Sequence, residues 1–103
     1  MNYASKIGWS DIDPYEIVKR VSEKCLEVRE MDSERDPFWR PEAEVGGFLA
    51  HVKNNVDQRW ICSSNPKAAV VRIRLHKDGR WRDKFGNKYR LANQPEKFYD
   101  YNF

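Results

Sequence analysis

The sequence predicts a fold built on antiparallel β-strands, and three patterns carry that expectation. Val71-Arg72-Ile73-Arg74-Leu75 alternates apolar and basic side chains strictly, the mark of a strand with one wet and one buried face, and Asp78-Gly79 follows as its turn. Short strand-like runs at residues 49–52 and 58–62 are punctuated by Gly46-Gly47, Asn54-Asn55 and Asn65-Pro66. Tyr99, Tyr101 and Phe103 alternate at the C-terminus and predict a closing strand.

Length bounds what these strands can build. With 103 residues, one domain spanning 1–103 is expected, because a second core would need about 50 residues of its own. Four Trp, five Tyr and five Phe supply large groups to bury, so the chain should fold without staples. The longest apolar run, Ala68-Ala69-Val70-Val71, is far short of the roughly 18 residues of a membrane span, and no membrane partner is expected. The first residues lack a basic segment leading into an apolar stretch, which points to the cytoplasm. Cys25 and Cys62 form no Cys-x-x-Cys pair and the chain has only two His, so no metal motif and no cofactor are predicted and both thiols are expected reduced.

Along the chain, residues 14–31 support two readings. Asp13 as cap, Pro14 at a first helical position and Val18, Val21, Cys25 and Val28 at 3-4-3 spacing describe an amphipathic helix. Alternatively residues 15–19 and 25–29 are two strands joined by the polar 20–24 stretch, with Ile17 meeting Leu26 and Val28. Residues 32–47 read as a long connection carrying Phe38 and Trp39, folded back on the core. Gly46-Gly47-Phe48 is a tight turn delivering a strand over 49–52, and a further strand runs over 58–62.

Turn length then decides where the arginines point. A two-residue Asp78-Gly79 loop would set Leu75 against Arg82, whereas a three-residue Lys77-Asp78-Gly79 loop with Gly79 left-handed sets Leu75 against Trp81. The second register gathers Val71, Ile73, Leu75, Trp81 and Phe85 on the core side and Arg72, Arg74, His76, Arg80, Arg82 and Lys84 outside. Carried through a Phe85-Gly86-Asn87 turn, it pairs Trp81 with Leu91, opposes Arg82 with Arg90, and leaves Lys88 and Arg90 outward. Asp83 falls on the apolar side.

Ile7-Gly8-Trp9-Ser10-Asp11, the Gly46-Gly47-Phe48…His51…Asn54…Gln58…Trp60 run, Leu75…Asp78-Gly79-Arg80-Trp81 and the Phe98-Tyr99-Asp100-Tyr101-Asn102-Phe103 ending together resemble a family of small uncharacterised proteins of bacteriophages, prophages and some bacteria. The resemblance spans almost the whole chain. It implies a hairpin at residues 14–31 and an all-β fold, a small antiparallel β-barrel or strongly bent sheet of Src-homology-three-like type. The family has Pro before the Gly-Gly-Phe where this chain has Val45, and Cys after the His where it has Val52, so no His-Cys metal or nucleophile role is carried over. No catalytic residue is implied.

The charge distribution supplies the leading functional reading. Residues 1–66 hold 9 basic and 12 acidic side chains and residues 67–103 hold 10 basic and 4 acidic, so net charges of −3 and +6 sit behind the overall +3. Arg72, Arg74, Arg80, Arg82, Lys84, Lys88 and Arg90 form a basic outer face fitted to phosphates, which predicts a non-enzymatic nucleic-acid-binding module for single-stranded or structured RNA or DNA. The bland explanation is that these cations keep strands soluble and block edge-to-edge pairing. A second functional reading is an inhibitor or adaptor docking on a host protein, such as one of a defence system, with Phe38 and Trp39 as anchor. Trp60 and Trp81 are expected in the core, whereas Trp9 and Trp39, in loop settings, read either as core lids, the better fit for so small a chain, or as exposed binding anchors. His51, Asn54 and Gln58 form a polar loop cluster expected to hydrogen-bond backbone; a catalytic role would need Cys62 or Ser63 as nucleophile. Glu42 and Glu44 read as solvated.

Overall fold

The computed structural model describes residues 1–39, 43–46, 49–52 and 58–99. Every regular element among them is a strand: β1 (Tyr3–Ile7), β2 (Ile12–Ser22), β3 (Cys25–Glu30), β4 (Asp32–Arg35), β5 (Ala43–Gly46), β6 (Leu49–Val52), β7 (Trp60–Ser63), β8 (Val70–Leu75), β9 (Trp81–Arg82) and β10 (Lys88–Ala92). Six of them close into an antiparallel barrel in the order β1-β10-β9-β8-β3-β2, while β4-β7 and β5-β6 form two-stranded sheets. The fold is therefore all-β and barrel-forming. No helix among the described residues is long and apolar enough to cross a membrane.

Residues 14–31 are a hairpin. Ile17 faces Val28, but the β2–β3 register shifts between Ile17 and Lys19 and again between Arg20 and Ser22, so Val18 and Val21 are the extra residues of two bulges. Each bulge breaks the period of two, which is why this strand imitates helical spacing. Residues 20–22 belong to β2 rather than to a linker, leaving a two-residue Glu23-Lys24 turn.

The core is assembled from alternate residues of the barrel strands. Ala4, Tyr15, Leu26, Val28, Ile73 and Tyr89 are buried together, and Ile17, Val71, Trp81 and Leu91 pack against them. Tyr15 and Tyr89 meet edge to face, ring centres 5.3 Å apart at 90°. Burial, and then the charge of Glu30, push the Tyr15 hydroxyl up to about 12, so it is a neutral core group at ordinary pH.

The predicted β8–β9 register is the observed one: Leu75 faces Trp81, His76 N–H donates to Arg80 O (2.9 Å), and Gly79 closes the loop at φ 81°. The next turn differs from expectation. Asp83 N–H donates to Asn87 O (3.1 Å) and Gly86 N–H to Asp83 O (3.1 Å), with Gly86 at φ 85°, so the loop is Lys84-Phe85-Gly86. Trp81 consequently pairs with Tyr89, not Leu91, and Arg82 with Lys88, not Arg90. The slip also carries Phe85 onto the turn tip, 78% exposed instead of in the core.

Three further expectations are corrected. The 32–47 connection contains two strands, β4 and β5, because each finds a partner in β7 or β6. Trp9 is no core lid: it projects from the β1–β2 turn 93% exposed. Trp60 is half-buried in the β4–β7 sheet, outside the barrel core. The barrel is closed by β1 on β10; from the C-terminal segment Phe98 contributes a bridge to Ile12. Tyr101 and Phe103 lie outside the described residues. Cys25 is buried and Cys62 half-buried, both as free thiols.

Candidate nucleic-acid interface

The outer surface of the barrel changes its charge logic from one side to the other. Where β2, β3 and β8 meet, directly opposed residues are complementary. Glu16 faces Arg29 with an ion pair at 2.8 Å, and Glu27 faces Arg72 at 3.2 Å. The Arg29 hydrogen bond holds the Glu16 carboxyl below the usual range against the opposing effect of burial, with Ser64 donating to it as well. Across β8, β9 and β10 the complementarity stops. Arg74 faces Arg82, and Arg82 faces Lys88, placing three cations in one row on adjacent strands. Directly opposed side chains sit with Cβ atoms about 5 Å apart, and like charges at that spacing repel.

The seven predicted cations differ in how far they are already neutralised. Arg72 is paired with Glu27, Arg82 with Asp78 in a two-pronged contact (2.5 and 3.3 Å), and Arg90 with Glu96 (3.2 Å). The Arg82 guanidinium holds the Asp78 carboxyl below its ordinary value. Arg74, Arg80, Lys84 and Lys88 make no ion pair among the described residues. They fall into two neighbouring depressions. A groove of about 690 Å³ is lined by Val70, Val71, Arg72, Arg74, His76, Arg82, Asp83, Lys84 and Phe85. A second of about 470 Å³ has Arg80, Lys88 and Arg90 around Ile7, Trp81 and Leu91.

Asp83 explains how the groove's rim is held. Its carboxylate is 8% exposed and accepts from Phe85 N–H (2.9 Å), Asn87 N–H (3.0 Å), Asn87 Nδ2 (2.9 Å) and Tyr89 OH (3.0 Å). Burial alone would raise this carboxyl, but the hydrogen bonds from Asn87, Tyr89 and Phe85 outweigh it and hold it below the usual range. The turn that carries Lys84 and Phe85 is thus tied to the barrel core through Tyr89. Lys84 Nζ lies 5.1 Å from the centre of the Phe85 ring.

The other candidate sites come apart. Gln58 does bond backbone: its Nε2 donates to Tyr99 O, and its Oε1 accepts from Tyr99 N–H (3.0 Å) and Trp60 Nε1 (2.9 Å). His51 lies on β6 with its backbone opposite Glu44, and Asn54 and Glu42 are outside the described residues. Burial pushes the Cys62 thiol up, with Lys97 only partly opposing, the reverse of an activated nucleophile. Phe38 and Trp39 separate: Phe38 is 95% exposed, while Trp39 is buried. Asp36 fixes both, accepting Phe38 N–H on its side chain (2.9 Å) and Trp39 N–H on its carbonyl (2.9 Å). Among the described residues no cluster of His, Cys, Asp or Glu could hold a metal ion.

Val70 and Phe85, which line the groove, are not read as site residues from the sequence, whereas Trp9 is one of the two loop tryptophans that the sequence leaves open as binding anchors. For Phe85 a signal existed, since Lys84-Phe85-Gly86 repeats the x-x-Gly form of Lys77-Asp78-Gly79. In comparisons with known proteins, no family model matches the chain, and neither a curated protein nor a solved structure matches it.

Proposed function

We propose that this chain is a non-enzymatic nucleic-acid-binding protein of the small phage or prophage type, gripping phosphates with the basic face of β8, β9, β10 and their turns. The carrying observation is the row Arg74, Arg82, Lys88, in which like charges are set directly against one another while the neighbouring strands use ion pairs. Asp78 offsets part of the repulsion at Arg82, in the middle of the row; what remains, below about 1 kcal/mol per opposed pair, is relieved when polyanionic oxygens lie along it. Edge protection does not account for it, because in the closed barrel β8, β9 and β10 are each paired on both sides. Arg74, Arg80, Lys84 and Lys88 are the main phosphate ligands; Arg72, Arg82 and Arg90, already neutralised in part, contribute less.

The test is binding of labelled oligonucleotides as a function of salt. Four phosphate contacts predict that affinity falls with salt at a log–log slope of about −3. Arg74→Ala combined with Lys88→Ala should reduce that slope to about half and lower affinity at least tenfold, with the fold intact by circular dichroism. Affinity indifferent to salt would refute the proposal. A host-protein partner is the second reading, favoured by the fully presented Phe38, with buried Trp39 supporting the turn rather than making contact. Capture from a nuclease-treated host lysate separates the two, since a nucleic-acid bridge disappears and a protein contact dependent on Phe38 persists.

A further inference from the structure

We infer that the nucleic acid is bound as an unpaired strand, its bases stacking on Trp9 and Phe85. This rests on the nucleic-acid reading above and names the ligand's form. Both aromatics stand at one end of the barrel. β1 leaves the ladder after Ile7, and the residue facing Ile7 is Lys88, the first residue of β10. Lys88 in turn faces Arg82, the last residue of β9. The turn after β1 and the turn between β9 and β10 therefore open side by side, next to the Arg82–Lys88 end of the cationic row.

Each turn presents its aromatic rather than burying it. In the first, Gly8 N–H donates to Asp11 O (2.8 Å), and a Cβ on Gly8 would stand 3.2 Å from that same oxygen, so the turn is closed and tight with Trp9 at its tip. In the second, Asp83 binds the backbone on both sides of the tip, and Lys84 covers one face of Phe85 while the side chain as a whole stays largely exposed. Single exposed apolar side chains are ordinary on any protein surface. Two aromatic rings on fixed turns at the same end of a barrel, beside cations without carboxylate partners, are the elements of a single-strand site. Phosphates follow the charge, and each ring offers a face to a base. A duplex can use the charge but not the rings, because its base faces are already stacked.

The probes are fluorescein-labelled oligothymidylate and oligouridylate of about 15 nucleotides, within the span of small single-strand-binding domains, and a blunt duplex of equal length. Anisotropy at low salt should show the single strands binding about tenfold more tightly than the duplex. Trp9→Ala and Phe85→Ala should each weaken single-strand binding about tenfold and leave duplex binding and the thermal midpoint unchanged, whereas Trp9→Phe should retain most of the affinity. Equal affinity for the two forms, or single-strand affinity untouched by both alanine variants, overturns the stacking inference and leaves the basic-face proposal standing. Failure of every oligonucleotide to bind overturns both.

Discussion

Asp83 is the residue at which sequence parity looks wrong and the structure supplies the reason. On the apolar side of its strand it would be a buried unpaired charge, yet it meets hydrogen bonds from the turn it begins and from the hydroxyl of Tyr89. A carboxylate so satisfied is stabilising because each charge-assisted bond contributes about 1.5–3 kcal/mol, offset by desolvation. Asp83→Ala should therefore lower stability by about 2 kcal/mol or more in urea unfolding. Its folded-state value is depressed, so the contribution is complete above the unfolded carboxyl value near pH 3.9 and is lost as pH falls through the lower folded value. The wild-type unfolding midpoint should drop on acidification below about pH 4, and Asp83→Asn should drop less steeply, with Glu16 still contributing. Superimposable acid limbs for the two proteins would contradict this role. Nothing in the local sequence announces it, since the fourth donor, Tyr89, is brought in by the pairing of β9 with β10.

At the scale of elements, legibility followed the local rules and failed where two strands had to be known together. The β8–β9 hairpin was readable because one loop length alone put Leu75 against Trp81 and left the arginines wet. The β2–β3 hairpin was ambiguous because bulges at Val18 and Val21 remove the alternation that identifies a strand, and bulges are set by the partner. The β9–β10 turn was misplaced by one residue, although Gly86 carries the same backbone signature as Gly79. Both glycines have left-handed φ and open space where a Cβ would stand, so a substitution there meets backbone strain and no collision. Gly79→Ala and Gly86→Ala should each cost about 1–2 kcal/mol by chemical denaturation, and Gly86→Asn less, since Asn tolerates that region better. A cost near zero at Gly86 would mean that the turn adopts another form and that Phe85 is not held at its tip. The basic face itself was legible as a set of residues; that Arg82 lies between Arg74 and Lys88 was not, because the row depends on that one-residue shift.

For the whole molecule, closure of the barrel changes what the charge asymmetry means. A sequence count of +6 over residues 67–103 is compatible with cations spread around a solvated surface. The barrel instead joins β3, β8, β9, β10 and β1 into one curved sheet, matching Glu27 with Arg72 at one place and stacking Arg74, Arg82 and Lys88 at another. If the row is kept for a ligand, it should be a place where stability and binding oppose each other. Lys88→Glu places a carboxylate directly across from Arg82, turning repulsion into a cross-strand ion pair. That variant should gain a few tenths to about 1 kcal/mol in stability at low salt, a gain that shrinks as salt screens the pair. The same change removes one phosphate ligand and adds a repelling charge, so oligonucleotide affinity should fall more than tenfold. Wild-type stability should correspondingly rise with added salt or with inorganic polyphosphate, which screen or occupy the row. Thermal melts and anisotropy on the same two proteins decide the matter: a Lys88→Glu variant that is less stable than wild type, or that binds as well, would show that the row is neither a strain on the fold nor the ligand's seat.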